Sequence, residues 1–584
     1  MIWLKRLYKY VLYPVSSNRV GYLMLLSLAV ILTIVSNIGM SNDIFLALLI
    51  PLWGAYLTCV VATLLRPIRL HWAVWMVAVF LWLMEIFSVF FYSSLINVRL
   101  VKLILETDTR EASEFLTGLW AMPALWIAIG CGIAAFLIAK GLTMAWPRLS
   151  GTTHRVLVGL LCVCTIWSAL RGEHSYIKLI RCFGLESVAQ LNDERYLPCL
   201  RTPAIRFTYG VAYTVLTVRE YKTLVPSVER TQVNGCAFRS PCIVLIIGES
   251  FNKYHTPLYN PSSLPTTPNL CRLRDEGTLY VFSDVVTQSN LTAQVMQNIL
   301  STWSDDEPDS WMNHTLFPAV FRKAGYEVYL WSNQFVRDAG GGLFSNLGGA
   351  LLNHPDLDRL QFSARNSTTF AYDSGLNADL RAFIADSLGD TISKQSLFIV
   401  HYIGQHVSYA DRFPADYNHF KADSLTPTYG GSYGCEIRAQ YANATLFHDH
   451  CLNELWQLFA AHDAVGIYMS DHGEECYDYR SFYERSDQNS LTPLMAKYQF
   501  EIPFFVLASD AFRTNHPELM EQIQSAQNKP FVNSDICHML FSLAGIAMPD
   551  YRADRDLLSP QYNTTRPRFI GDHVDYNTLI CQPQ

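Results

Sequence analysis

The sequence predicts two architectures in one chain: an α-helical transmembrane domain of five spans, then an α/β domain on a doubly wound, mainly parallel sheet. Three observations carry that prediction. Long apolar segments crowd the first third, and short apolar runs alternate with helical patterns from residue 240 onward. One of those runs ends in Glu249 and another in Asp471, His472 and Glu474. At 584 residues the chain exceeds what one ordinary core organises. The expected boundaries are a transmembrane domain over 1–170, a helical linker over 171–235 and an α/β domain over 236–584.

A helix needs about 20 apolar residues to cross the hydrocarbon core of a bilayer. Tyr22–Met40, Ile44–Leu65, Leu70–Tyr92, Leu119–Lys140 and Arg155–Leu170 approach that length. So many such segments in so short a stretch have no protein core to hide in. No small-residue cleavage site follows the first, so it reads as an anchor and not a removable signal. Positive charge then orients the stack. Lys5, Arg6, Lys9 and Arg19 precede the first span, Arg66 and Arg69 follow the second, and Lys140, Arg148 and Arg155 follow the fourth. These places share one side, the cytoplasm. The opposite loop, Asn97–Phe115, carries Arg99, Lys102 and Arg110 but also Glu106, Asp108, Glu111 and Glu114. Everything after about Arg171 then lies outside the cytoplasm. Glu85 is the main charged residue within the spans, a scarcity that argues against a transporter.

The linker is rich in Tyr and Arg, among them Tyr176, Arg181, Tyr196, Arg206, Tyr209 and Tyr213. An interfacial amphipathic helix and a plain connecting helix are both compatible with it. The net charge of −7 comes without a basic stripe, which excludes nucleic acid as a partner. Of 14 cysteines, Cys59, Cys131, Cys162 and Cys164 fall in expected spans. The others face an oxidising space that permits disulfides, with Cys182–Cys199, Cys236–Cys242 and Cys435–Cys451 plausible by proximity alone.

In the α/β part the expected strands are Cys242–Ile247, Leu279–Asp284, Tyr326–Trp331, Ser396–Tyr402, Val465–Ser470 and Pro503–Ala508. Helical patterns cover Thr292–Leu300, Trp311–Lys323, Ala378–Leu388 and Ala439–His462, and Asp411–Gly434 reads as a loop. Such alternation argues for a parallel sheet covered on both faces. Ligands in these sheets bind beyond the carboxyl ends of strands. Glu249 follows the first strand, and Asp471, His472, Gly473 and Glu474 follow the fifth. Carboxylate and imidazole together suit Zn²⁺ or Mn²⁺. Thr292 opens a helix after a polar loop; its hydroxyl is either an N-cap or, beside a metal, a nucleophile of lowered pKa. His401 and His406 follow the strand from Ser396, and one of them can hold a phosphoryl oxygen or protonate a leaving group. A split role, with His401 under the sheet and His406 at the site, is the alternative.

Taken together, Glu249 in IIGES, Tyr259, Thr266-Thr267-Pro268-Asn269-Leu270, Thr292, His406 and SDHGEE at 470–475 resemble the membrane-anchored phosphoethanolamine transferases. These belong to the alkaline phosphatase/sulfatase-like superfamily. The resemblance spans essentially the whole chain and implies five spans in a bacterial inner membrane, a cytoplasmic N-terminus and a periplasmic catalytic domain. It implies zinc held by Glu249, Thr292, Asp471 and His472, with Thr292 the nucleophile. It further implies phosphatidylethanolamine as donor and a lipopolysaccharide (lipid A or core) or other envelope glycan as acceptor. His406 and Glu474 would line the phosphoryl pocket or a looser second metal site. Asn333 and Gln334, in WSNQ, would contact the head group, and Thr107 and Glu111 match the donor-binding loop. The chain departs from lipid A enzymes in its nucleophile loop, Ser289-Asn290-Leu291-Thr292, which is closer to the core-modifying branch. The donor loop has Leu103 where that family has Asn. A histidine those enzymes carry after the DHG motif has no match in Tyr477–Glu501. The competing readings are a phosphoglycerol transferase using phosphatidylglycerol and an inactive membrane-anchored sensor or scaffold.

Overall fold

This computed structural model describes residues 12–35, 44–92, 94–106, 109–120, 122–145, 159–170, 202–304, 311–334, 350–389, 395–486 and 491–581, with 152, 156, 306, 307, 336 and 392. The chain divides into two compact units, Met1–Glu220 and Tyr221–Gln584.

Apolar helices make up the first unit. Two of them, His71–Tyr92 and Pro123–Ala145, are long and apolar enough to cross a membrane, at 22 and 23 residues. Three shorter apolar helices, Arg19–Ile34, Pro51–Leu64 and Gly159–Leu170, fall where the remaining spans were expected. Helix Pro123–Ala145 buries Ala128, Gly132, Ala135 and Ala139. That small-residue stripe at three- and four-residue spacing lets a neighbouring helix approach closely. The stretch expected as the loop Asn97–Phe115 is instead largely helical, as Val98–Glu106 and Thr109–Leu119. The cause is local: Asn97 Oδ1 accepts the Leu100 backbone N–H at 2.9 Å, an N-cap for the apolar run behind it.

Glu85 does not stand alone among apolar neighbours. It pairs with Arg206, and both side chains are buried. Removing one partner of a buried pair leaves an uncompensated charge, a loss of about 3–5 kcal/mol. We therefore expect Arg206→Ala to lower the thermal midpoint of the detergent-solubilised protein strongly. The double variant Glu85→Gln/Arg206→Met should recover much of that loss in the same melting assay.

In the second unit one sheet of seven strands is central. In chain order its strands are β1 Cys242–Gly248, β2 Leu279–Phe282, β3 Glu327–Ser332, β4 Ala364–Arg365, β5 Ser396–His401, β6 Ala464–Ser470 and β7 Phe504–Ala508. Across the sheet they lie in the order β2-β7-β6-β1-β5-β3-β4. All neighbours pair in parallel except β7, which runs antiparallel to both β2 and β6. The sheet is thus mixed. Each strand expected from sequence is present; β4, two residues long, is too short to leave a hydropathy signal.

β1 sits at the middle, and Ile243 to Ile247 are wholly shielded from solvent. Each such side chain contributes about 1.5–3 kcal/mol relative to exposure. Helix Gly431–Gln457 covers one face and begins inside the stretch expected as loop. Its Asp449 accepts the backbone N–H groups of Asn269 and Leu270 at 3.0 and 2.8 Å. This satisfies the first turn of helix Pro268–Asp275, so the Thr-Thr-Pro-Asn-Leu motif is scaffold here. Tyr259 has the same role, its hydroxyl donating to Phe504 O at 2.7 Å and accepting Phe504 N–H at 2.8 Å.

The expected disulfides do not form among the described residues: Cys236, Cys242, Cys435 and Cys451 are all free thiols. Cys435 and Cys451 lie on one helix, several turns apart, far beyond the reach of a disulfide. Cys182 and Cys199 lie outside the described residues.

His448, on the same helix, is packed against the Phe251, Tyr402 and Tyr468 rings. Burial pushes its pKa down from 6.5 to about 3. The folded state holds it neutral while the unfolded state protonates it, so its contribution is complete above pH 6.5 and lost as pH falls toward 3. By pH 5 that is about 2 kcal/mol. The stability gap between wild type and His448→Gln, measured by chemical denaturation, should narrow by that amount between pH 7 and pH 5.

Candidate metal centre

Register builds the centre. β1 and β6 pair in parallel from Cys242↔Ala464 to Gly248↔Ser470. One residue later each strand enters its loop, which sets Glu249 beside Asp471, with Asp471 N–H donating to Gly248 O at 2.9 Å. Gly248 is required for the approach, since a Cβ there would stand 2.0 Å from the Tyr468 hydroxyl. Ser250 then takes a left-handed φ of 56°, a conformation that costs a non-glycine residue of order 1–3 kcal/mol. Two bonds hold it there. Its N–H donates to Asp471 Oδ1 at 3.0 Å, and its hydroxyl donates to Glu249 Oε1 at 2.7 Å.

Glu249, Asp471 and His472 are fully buried, and one ligand atom from each lies within 4.8 Å of the others. His472 Nδ1 lies 2.8 Å from Gly473 O. A carbonyl only accepts, so Nδ1 carries the proton and Nε2 presents its lone pair inward. From Nε2, Asp471 Oδ2 is 3.0 Å away and Glu249 Oε1 is 3.3 Å away. Thr292 completes the group: Oγ1 donates to Glu249 Oε2 at 3.0 Å and lies 3.3 Å from His472 Nε2. Thr292 is not the N-cap of its helix. Leu291 holds that position in extended conformation, leaving the threonine hydroxyl to the cluster.

Charge in this pocket is unbalanced. Burial favours neutral Glu249, but His472, with His406 and Arg485, holds its carboxyl well below the usual range. Asp471 is pushed up by burial and by Glu249. Asp471 and Glu249 raise the basicity of His472 against the cost of burial, while Arg485, beside Nε2, opposes a second proton there. Glu474, buried, is raised to about 7. Asp471 Oδ2 has no hydrogen-bond partner. Two buried carboxylates, one of them with an orphaned oxygen, an inward imidazole nitrogen and a hydroxyl fit a tetrahedral site for a borderline divalent ion such as Zn²⁺.

The remaining expected residues divide. Gln334 reaches the cluster, but as a support: Nε2 donates to Glu249 Oε2 at 3.0 Å and to Tyr402 O at 2.8 Å. Asn333 is committed elsewhere, donating to Asp373 Oδ1 at 2.9 Å and accepting Phe370 N–H at 2.7 Å. It holds the loop instead of presenting its amide to a head group. His401 is fully buried at the end of β5, with Nδ1 3.1 Å from Ser332 Oγ. His406 is less enclosed, and the Glu249 carboxylate and the Arg485 guanidinium both bear on it electrostatically. Glu474 Oε1 accepts the Tyr409 hydroxyl. Thr107 lies outside the described residues, as does the side chain of Glu111.

Sequence reasoning missed Arg485. Its Nη1 lies 2.6 Å from His472 Nε2 and 3.3 Å from Glu249 Oε1. One of two arginines in the polar stretch RSFYERSDQN, it carries no spacing or hydropathy signal.

Because Gln334 orients a ligand without being one, Gln334→Ala should weaken metal binding by about 10–100-fold. Asp471→Asn, which removes a ligand charge, should weaken it further. Competitive titration with a chromogenic chelator reads both.

Residues 241–546 match the family described as Sulfatase. Over 484 residues the chain is 26% identical to the phosphoethanolamine transferase CptA of Salmonella typhimurium, covering 81% of this chain and 79% of that protein. Among solved structures, the periplasmic domain of EptC from Escherichia coli in complex with Zn aligns with a TM-score of 0.51 and 23% identity, covering 60% of this chain and 96% of that one. The integral membrane lipooligosaccharide phosphoethanolamine transferase A from Neisseria meningitidis aligns with a TM-score of 0.56 and 18% identity, covering 93% of this chain and 98% of that one. The chain belongs to the Sulfatase family, and its relatives there are phosphoethanolamine transferases of alkaline phosphatase-like fold.

Proposed function

We propose that the protein is a metal-dependent phosphoethanolamine transferase, moving that group from phosphatidylethanolamine to a lipopolysaccharide or other envelope glycan acceptor. The observation that carries this reading is the Thr292 hydroxyl at 3.0 Å from Glu249 Oε2 and 3.3 Å from His472 Nε2, at the start of a helix whose first N–H groups favour anions. The Zn-bound EptC domain supports zinc as the ion. Among the described residues, the two helices long enough to cross a membrane, His71–Tyr92 and Pro123–Ala145, with three shorter apolar helices in the same unit, support an anchor in the bacterial inner membrane with the α/β domain in the periplasm. Within this reading the boundaries 1–170, 171–235 and 236–584 separate anchor, linker and catalytic domain. An anchor places the site beside bilayer-embedded substrates, which raises their effective concentration.

When bound, the metal neutralises phosphoryl charge and lowers the pKa of the threonine hydroxyl. Thr292 Oγ1 attacks phosphorus, the bond from phosphorus to the glycerol oxygen breaks, and diacylglycerol leaves with the threonine's proton. In the second half an acceptor oxygen attacks the same phosphorus, the bond to Oγ1 breaks, and Thr292 regains a proton. Covalent capture lets one lipid depart before the other arrives. Glu249 and Asp471 hold the ion, His472 supplies Nε2, and Gln334 fixes the Glu249 carboxylate. His406 and Glu474 are assigned to the wall around the phosphoryl group, and Thr107 and Glu111 to the donor side.

Thr292→Ala should reduce transfer by at least about a thousandfold with the thermal midpoint unchanged. Wild type incubated with phosphatidylethanolamine and no acceptor should gain one phosphoethanolamine group on Thr292, read by peptide mass spectrometry. Labelling from phosphatidylglycerol instead would overturn the donor assignment, and labelling from neither would overturn the enzyme assignment.

A further inference from the structure

Arg485 occupies the atoms that a metal would need. Its Nη1 lies 2.6 Å from His472 Nε2, 3.3 Å from Glu249 Oε1 and 3.2 Å from Ser250 Oγ. A guanidinium in a protein stays protonated and only donates. His472 Nε2 therefore accepts from it with the lone pair that a metal ligand offers. Metal and guanidinium cannot use that lone pair together, and two cations at one point repel. The arginine has another place to go. Its Nε is 3.8 Å from Glu474 Oε2, and Glu474 Oε2 and Glu484 Oε1 are both buried without a hydrogen-bond partner. Glu484 is its chain neighbour and turns with a φ of 75°. The arginine side chain keeps 13% of its surface exposed while Glu249 and Glu474 keep none, so it is the cation of this cluster that a ligand can meet.

We propose that Arg485 is the second cation of the centre: metal binding moves it from Glu249 and His472 to Glu474 and Glu484, where it takes a non-bridging oxygen of the substrate phosphodiester. A planar guanidinium suits that task, since two parallel N–H groups match two phosphate oxygens. The inference rests on the transferase reading, and it assigns a role to a residue type that the sequence pattern did not flag.

The test uses the full-length protein in detergent, stripped of metal, as wild type, Arg485→Met and Arg485→Lys. Zinc is titrated against a competing chelator. O-phosphoethanolamine is then titrated calorimetrically into each zinc-loaded protein. Loss of the internal competitor should tighten zinc binding by Arg485→Met at least about tenfold. Loss of the phosphate partner should weaken O-phosphoethanolamine binding at least about tenfold. Arg485→Lys keeps the charge without the fork; it should stay near wild type for zinc and bind O-phosphoethanolamine more weakly, and it serves alone if the methionine variant does not fold. Unchanged or weaker zinc binding by Arg485→Met, or unchanged O-phosphoethanolamine binding in both variants, overturns the proposal. If those results come with wild type still forming the Thr292 adduct, the transferase reading survives. Wild type that takes up no zinc removes both.

Discussion

Like charge held in a dry place is the constraint on which the second unit depends. Parallel pairing of β1 with β6 ends at Gly248↔Ser470, and the next residue on each strand is a carboxylate with no exposure to water. Neither can leave without breaking the register of the central sheet. Buried carboxylates at this separation repel by several kcal/mol unless a cation lies between them. The fold therefore builds a demand for positive charge before any ligand arrives. Proton, guanidinium and divalent ion are three ways to meet it, and the Arg485 guanidinium is the one that stands at His472 Nε2.

The surroundings serve that demand. Gly473 O fixes the His472 tautomer, Gln334 and Ser250 divide the two oxygens of Glu249 between them, and Ser250 N–H takes Asp471 Oδ1. What stays unpaired is Asp471 Oδ2, which faces His472 Nε2. Thr292 enters from a separate helix and sets its hydroxyl against Glu249 and His472. Rigid supports of this kind matter because a nucleophile misplaced by an ångström loses much of its advantage.

Much of this was legible in the chain. The strands announced themselves because continuous apolar runs bounded by glycine and proline are what a strand buried on both faces requires. Glu249 and the Asp-His pair stood at their ends, where ligands of such sheets collect. Thr292 was legible as a helix start, although only the structure gave the N-cap position to Leu291 and turned the threonine hydroxyl to Glu249. Less visible were the short helices such as Pro268–Asp275 and Pro517–Ala526, whose mixed composition gives little periodicity. Cys435 and Cys451 do not pair because their separation along one helix puts several turns between them.

The amino-acid sequence by itself determined the two-part organisation, the strands of the sheet and the acids and histidine at their ends. These follow from hydropathy and from residues adjacent in the chain, which any segment expresses wherever it lies. Only the tertiary structure decided which carboxylates share one pocket, that Asn333 braces a loop while Gln334 braces Glu249, that Glu85 finds Arg206, and that Arg485 enters the cluster. Each of those depends on register and chain path between residues that are remote in sequence, and no local pattern encodes such a meeting.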